Sequence, residues 1–454
     1  MEGFMTIFKD YDIRGIYGTE LTDEFAEKLG YAIIKFTKAK KIVVGYDSRT
    51  SNLKVFSAFA TGVTNSGTNI VHIGIVTKPL LNWISIKKDF DLGVIITASH
   101  NPKEYNGFNF MLKRRTLHYN NGLNKIEKLI NEKFKNSKKK GEIISRDFIS
   151  EYVKFLSSKL HKKDLDKLRI VGDASNGAAG EILKKFMEIN NINCELLFTD
   201  PDGNFPCHNP NPLDDNALAV LRRKVVENKA DFGFIVDPDS DRARFVDDKG
   251  NIVDNSYMQS LVIKDLLKKH KNSSIVIELS ARKILSETIK RNKGKEVISK
   301  VGHPYIIDLM IQNKAIYGCE MSGHNFFKEM YNLDSGELMM IHVINMYLSQ
   351  KKRISSLIKP LDKYIYLGEL TYKLKFDADK VLLVDKVKEY FKKNRKKLSV
   401  KKNFELDGIS IVAKDFWFNL RPSNTEPILR FRLEGKNRKK VEKIKKEVEK
   451  ILLK

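Results

Sequence analysis

The sequence predicts an α/β protein: three similar α/β domains with mixed, mostly parallel sheets, then a smaller C-terminal α+β domain. Three observations carry this. At 454 residues the chain is too long for one ordinary domain. One theme recurs three times: an apolar strand, helix-like stretches and further strands, and a last strand that runs into a polar loop. The C-terminal part then breaks that rhythm.

The first domain opens with KIVVGYDSR (41–49), passes through TNIVHIGIV (68–76) and ends at LGVIITASHN (92–101). The second opens with LRIVGDASNGAAG (168–180), passes CELLFTD (194–200) and ends at ADFGFIVDPDSDR (230–242). The third opens with SSIVIELSA (273–281), passes EVISKVGH (296–303) and ends at KAIYGCEMSGH (314–324). Strands alternating with helical patterns imply βαβ units, whose functional loops gather at the carboxyl ends of the strands. The last stretch reads as a helix at 380–394, strand-like ISIVAKDFWFNLRPSN (409–424), a strand at 428–435 and a tail helix. The Lys-rich SKKKG (137–141), DDKG (247–250) and Pro360 mark the boundaries, giving domains 1–145, 146–250, 251–360 and 361–454.

Hydrophobic residues at 42% suffice for packed cores, and no apolar run reaches the roughly 18–20 residues of a membrane span. The charged opening MEGFMTIFKDYDIRG does not read as a signal peptide. Three scattered cysteines argue against a disulfide framework and a Cys-based zinc site, so the cytoplasmic compartment is expected. The net charge of +25 suggests a polyanion partner when taken alone. The excess lies in Lys runs, however, and in the tail Val441, Ile444, Val448, Ile451 and Leu452 fall at helical spacing among lysines and glutamates. A solvated surface that attracts small phosphorylated substrates fits better than a nucleic-acid interface.

Asp237, Asp239 and Asp241 follow a buried strand at alternate positions in DPDSDR. Carboxylates so close repel one another unless a cation neutralises them, and hard oxygen ligands suit Mg²⁺. A calcium EF-hand loop fits poorly, since its sixth and twelfth positions are Arg242 and Asp248. An aspartyl-phosphate loop would make Asp237 a nucleophile but leave TASHNP without a role. In that segment Ser99 needs a base, a metal or an electrostatic pocket to react. His100 is adjacent, and adjacent side chains on an extended chain point apart, so it is not expected to serve as the base for Ser99. A phosphate carried on Ser99 beside a metal on the Asp cluster is the better reading, against a turn set by Asn101-Pro102. In RPSNTEP, Arg421 offers a fork for phosphate oxygens, with Ser423, Asn424 and Thr425 as further donors. In CEMSGH, Glu320 and Ser322 alternate and could meet neighbouring sugar hydroxyls, while His324 could donate to a phosphate or only pack.

Together FKDYDIRGIYG, TASHNP with YNGF, DGNFPCHNPNP before DPDSDR, CEMSGH before FFKEMYNLDSGE, and RPSNTEP resemble the α-D-phosphohexomutase family. The phosphomannomutase/phosphoglucomutase branch is the nearest, and the match runs through nearly the whole chain. The resemblance implies four domains around a central cleft, which in order bring the phosphoserine loop, the metal loop, the sugar loop and the phosphate loop. It implies that Ser99 is the phosphoserine and holds Mg²⁺ with Asp237, Asp239 and Asp241. Glu320 and Ser322 would contact the sugar, and Arg421, Ser423, Asn424 and Thr425 the phosphate that is not transferred. Tyr11, Arg14, His100, Arg242 and His303 match positions that the family places in or near the cleft, with His100 and Arg242 implied as catalytic residues and His303 as a sugar contact. The implied activity interconverts hexose 1-phosphate and hexose 6-phosphate through a hexose 1,6-bisphosphate.

Three departures stand out. Asn109 replaces a common Lys, so a general acid/base is missing or supplied elsewhere; Lys113 lies about 13 Å further along a regular strand and is no simple substitute. Pro238 replaces the usual Gly of the metal loop, and Cys319 the Gly before Glu320. A phosphoglucosamine mutase and a catalytically weak sugar-phosphate-binding homologue are the alternatives. The expected assembly is a monomer or homodimer.

Overall fold

The computed structural model describes residues 7–376, 378–423 and 427–453. They fall into two compact units: Met1–Asn255 with Ser322–Ser355, and Ser256–Met321 with Ser356–Lys454.

The first unit is built on two mixed sheets. In the first, the strand order is Ile13–Ile16, Tyr105–Leu112, Leu92–Ile96, Lys41–Tyr46, Asn69–Ile75 and Ile143–Ser145. The last four run parallel, and Tyr105–Leu112 is antiparallel to both of its neighbours. Leu92–Ile96 and most of Lys41–Tyr46 are buried without alternation. That is the pattern of a parallel strand covered by helices on both faces. The second sheet has parallel Phe232–Val236, Arg169–Asp173 and Asn193–Leu197, extended by antiparallel Ala243–Val246 and Ile252–Val253.

Helix Asp23–Thr37 begins at Thr22, whose hydroxyl accepts from the Phe25 N–H at 3.1 Å, and carries Asp23 and Glu24 in its first turn. It crosses helix Asn52–Asn65 at glycine contacts. A Cβ at Gly62 would lie 2.0 Å from the Glu27 carbonyl oxygen, so only glycine permits this approach. The segment 322–355 adds the antiparallel pair Asn325–Phe327 and Leu333–Asp334, then helix Gly336–Gln350, capped by Ser335.

The second unit contains parallel strands Lys295–Ser299, Ser274–Glu278 and Tyr317–Cys319. It also holds a five-stranded antiparallel sheet, in the order Ile365–Lys373, Ile428–Gly435, Phe416–Pro422, Ile409–Ala413 and Val400–Phe404. Helices Asp379–Lys393 and Arg438–Leu452 cover that sheet, the tail helix burying Val441, Ile444, Val448 and Leu452. The stretch 409–424, expected as one strand, is two strands that pair with each other across Lys414–Asp415. The charged pair Lys414–Asp415 between the two apolar runs marks the turn. Among the described residues no helix is long and apolar enough to cross a membrane.

Candidate active site

Ser99 lies on the loop that leaves Leu92–Ile96, and Asp237, Asp239 and Asp241 on the loop that leaves Phe232–Val236. Each sits at the carboxyl end of a parallel strand, where side chains from different strands can converge. They do converge. The Ser99 hydroxyl donates to Asp237 Oδ2 at 3.0 Å and accepts from Arg242 Nη1 at 3.0 Å. Arg242 Nη1 also stands 3.1 Å from Asp237 Oδ2 and meets His100 Nδ1.

His100 corrects an expectation. Its Nδ1 lies 3.2 Å from Ser99 Oγ, not on the opposite side of the chain. The chain is not extended here: Ser99 has φ 49°, in the left-handed region, and that turns the two side chains together. Burial, with Arg242 and Arg14 nearby, holds His100 well below its usual range and therefore neutral near pH 7.

The loop geometry is enforced by Arg49, a residue the motifs did not single out. Its guanidinium is fully buried and donates to four carbonyls of the Ser99 loop: Ser99 at 2.7 Å, Asn101 at 2.6 Å, Pro102 at 2.6 Å and Tyr105 at 2.8 Å. Asp47 anchors Arg49, and Thr97 Oγ1 lies 2.7 Å from Asp47 Oδ2 and 3.1 Å from Asp239 Oδ2. The Ser99 N–H donates to Thr97 Oγ1 at 2.8 Å. Arg14 reaches the same loop, donating to Asn101 Oδ1 at 2.8 Å and to Asp12 at 2.6 Å, while Tyr11 is half-buried just before the strand Ile13–Ile16.

The carboxylates of Asp237, Asp239 and Asp241 are buried and offer oxygens within 4.8 Å of one another. Burial, reinforced by Asp241, pushes Asp237 up to about 6. Burial and both neighbours push Asp239 well above the usual carboxylate range. Asp239 Oδ1 is buried with no hydrogen-bond partner among the described residues. An orphaned oxygen among three crowded carboxylates is what a hard divalent cation would satisfy, so these residues fit a metal. Asp241 differs: burial opposes ionisation, but Lys78, His324 and Arg242 hold it well below the usual range. His324 Nε2 lies 3.2 Å from Asp241 Oδ1 and its Nδ1 3.1 Å from Ser322 Oγ, so His324 backs the metal loop. Lys78, also unanticipated, donates to Asp241 Oδ2 at 2.7 Å and Asp334 Oδ2 at 3.1 Å. Burial lowers its pKa, but the carboxylates more than offset that and the net direction is upward.

Pro238 is accommodated by packing. A Cβ on Gly177 would lie 2.5 Å from Pro238 Cα, and the Ala178 N–H donates to the Pro238 carbonyl at 2.8 Å. Asn109 sits opposite Ile95 on Tyr105–Leu112. Lys113 does not continue that strand: it falls in the following turn with φ 44°.

In the second unit, Glu320 is buried and accepts from the Gly302 N–H at 2.9 Å, beside His303 at the first turn of helix His303–Gln312. Arg421 lies one residue before the end of strand Phe416–Pro422, opposite Arg430, and Ser423 is buried. Asn424 and Thr425 lie outside the described residues. Around this strand end the sequence motifs missed a charged network: Arg432 donates to Glu278 at 3.3 Å and Glu369 at 2.8 Å, and Arg430 to Glu369 at 2.6 Å. Alternating Arg430 and Arg432 on one strand was the available signal.

Known proteins resemble this chain along nearly its whole length. The description "Phosphoglucomutase/phosphomannomutase, alpha/beta/alpha domain" matches residues 5–137 as domain I, 148–250 as domain II and 254–364 as domain III. The corresponding C-terminal domain matches residues 375–451. A phosphomannomutase of Methanocaldococcus jannaschii is 36% identical over 99% of both chains. A phosphoglucomutase of Neisseria meningitidis is 30% identical over 98% of this chain and 96% of its own. A phosphoglucomutase/phosphomannomutase family protein of Burkholderia thailandensis, solved by crystallography, superposes with a TM-score of 0.88 at 25% identity, covering 99% of this chain and 97% of the other. With four domain matches in order and relatives aligned from end to end, the chain belongs to the phosphoglucomutase/phosphomannomutase family of phosphohexomutases.

Proposed function

We propose that the chain interconverts hexose 1-phosphate and hexose 6-phosphate, of mannose, glucose or both, through phospho-Ser99 and a bound hexose 1,6-bisphosphate. The observation that carries the reading is the Ser99 hydroxyl, 3.0 Å from Asp237 and 3.0 Å from Arg242 at the edge of a buried aspartate triad.

Phospho-Ser99 gives its phosphoryl group to the free hydroxyl of a hexose monophosphate. The bond from phosphorus to Ser99 Oγ breaks and one to the sugar oxygen forms; the proton lost from the sugar hydroxyl is balanced by the proton that Ser99 Oγ gains. The bisphosphate then turns over, and its other phosphoryl group returns to Ser99. Asp237, Asp239, Asp241 and Ser99 would hold Mg²⁺, which supplies Lewis-acid stabilisation of the transferring phosphoryl oxygens. Arg242 is placed to offset charge that develops on Ser99 Oγ. His100, held neutral, is the group within reach to take or return the Ser99 proton. Arg49 fixes the loop so that Ser99 is aimed before substrate arrives. Tyr11 and Arg14 complete the serine side. Glu320, Ser322 and His303 would bind sugar hydroxyls, and Arg421, Ser423, Asn424 and Thr425 the phosphate at rest. The partners are hexose phosphates, the compartment cytoplasmic and the assembly a monomer or homodimer. The net charge of +25 serves substrate attraction in this reading, not nucleic acid.

Phosphorus NMR tests it. With Mg²⁺, a trace of glucose 1,6-bisphosphate and mannose, glucose or glucosamine 1-phosphate in turn, the 6-phosphate of mannose or glucose should appear first. Fastest conversion of the glucosamine compound would favour the phosphoglucosamine reading. No conversion by folded protein would leave a sugar-phosphate-binding homologue.

A further inference from the structure

Asp241 belongs to two clusters at once. With Asp237 and Asp239 it forms the triad described above, and with His324 and Asp334 it forms a second group whose ligand atoms also lie within 4.8 Å of one another. The second cluster already contains a cation. Lys78 Nζ lies 2.7 Å from Asp241 Oδ2 and 3.1 Å from Asp334 Oδ2, and its side chain is 5% exposed. Nothing in its local structure favours that placement. Lys78 opens helix Lys78–Lys87, where a positive charge opposes the helix dipole, and a buried ammonium needs close counter-charges. The two carboxylates supply them. The backbone holds the same relation, since the Lys78 N–H donates to the Asp239 carbonyl at 2.9 Å.

We propose that Lys78 is a fixed internal cation that fills the Asp241–Asp334–His324 cluster, so that the chain takes one divalent ion and not two. The inference rests on the reading of Asp237, Asp239 and Asp241 as a metal site. Lys78 acts as a positioning residue: its ammonium holds the Asp241 carboxylate in place whether or not the metal is bound, and it denies the shared carboxylate to a second ion. A tethered ammonium does this without dissociating, whereas a second metal would bring its own concentration dependence.

The test is Mn²⁺ binding to the full chain, read from the paramagnetic resonance of free Mn²⁺, with thermal midpoints measured in parallel. Wild type should bind one Mn²⁺. Lys78→Met keeps the apolar stem and removes the charge. It should bind two Mn²⁺, show a metal-free midpoint lower by about 5 °C or more, and recover it only as the second equivalent binds. The double variant Lys78→Met/Asp334→Asn should return to one ion and regain part of the lost midpoint without metal. Folded Lys78→Met that binds one ion with unchanged affinity overturns the proposal. If Lys78→Met does not fold, the double variant decides: recovery of folding upholds the role of the charge, and no recovery overturns it. Wild type that binds two ions also overturns it. Wild type that binds none overturns the metal site itself, and Lys78 with it, which is a separate failure.

Discussion

Arg49 Nη2 donates to the backbone carbonyl of Ser99 at 2.7 Å, across 50 positions of sequence. The same guanidinium holds three further carbonyls of that loop, which makes Arg49 a clamp on the position of the serine. A planar fork can serve several acceptors at once, and an ammonium cannot. Arg49→Lys is expected to lower kcat by roughly 100-fold, the scale of a misplacement of about 1 Å, with a smaller effect on KM. Steady-state kinetics at saturating bisphosphate checks this, and an unchanged kcat would remove Arg49 from the positioning apparatus.

Asp239 should show opposite effects on stability and metal binding. It is buried among like charges with an orphaned oxygen, so its ionised form is costly without a cation. Asp239→Asn is expected to raise the metal-free thermal midpoint and to weaken Mg²⁺ by about 10-fold or more. Midpoints with and without Mg²⁺ read both at once. A fall in both would mean that the carboxylate is a structural hydrogen-bond acceptor instead.

Ser99→Ala should remove the proposed phosphoryl carrier, with turnover falling on the order of 10⁴-fold or more. The midpoint should hold, because the Arg49 bonds go to the backbone and survive the change. Incubation with labelled bisphosphate should leave the variant unlabelled and wild type labelled at Ser99.

Helix Asp23–Thr37 meets helix Asn52–Asn65 where Gly62 faces the Glu27 carbonyl. Gly62→Ala would normally gain helix propensity, yet the added methyl carbon has 2.0 Å of room against backbone. Overpacking should win, at a cost on the order of 1–3 kcal/mol. A lower denaturation midpoint for the first unit checks the sign.

Glu329 lies 2.8 Å from His342 and 3.2 Å from Lys159. Burial opposes its ionisation, but these two hold it at about 2. The folded value is below the unfolded one of about 4.3, so its stabilisation is complete above pH ~4.3 and is lost as pH falls toward 2. The midpoint gap between wild type and Glu329→Gln should therefore be open at pH 6 and shrink below pH 4. A gap independent of pH would show that the charge is not what matters.

The sequence disclosed the loops that strands deliver. Val94–Ile96 into Ser99 and Phe234–Val236 into Asp237 are continuous apolar runs that end in polar residues, and such runs are local. It did not disclose the residues whose meaning lies in distant partners. Arg49 acts on a loop 50 positions away, and Lys78 on an aspartate 163 positions away. Lys78 could have been flagged as a lone charge within the apolar run VTKPLLNWI, but its partner could not. The expectation that the His100 and Ser99 side chains point apart failed for a different reason: periodicity assumes regular backbone, and Ser99 leaves it. The same applies to Lys113, which lies past the end of its strand.

The φ of 49° at Ser99 also bears on which hydroxyl amino acid could occupy the position. Threonine would bring a hydroxyl oxygen too, but a β-branched side chain in the left-handed region clashes with its own backbone. Exchange of the two would force the loop out of the Arg49 clamp or strain it within. The torsion angle, more than the reactivity of the oxygen, therefore dictates serine at this position.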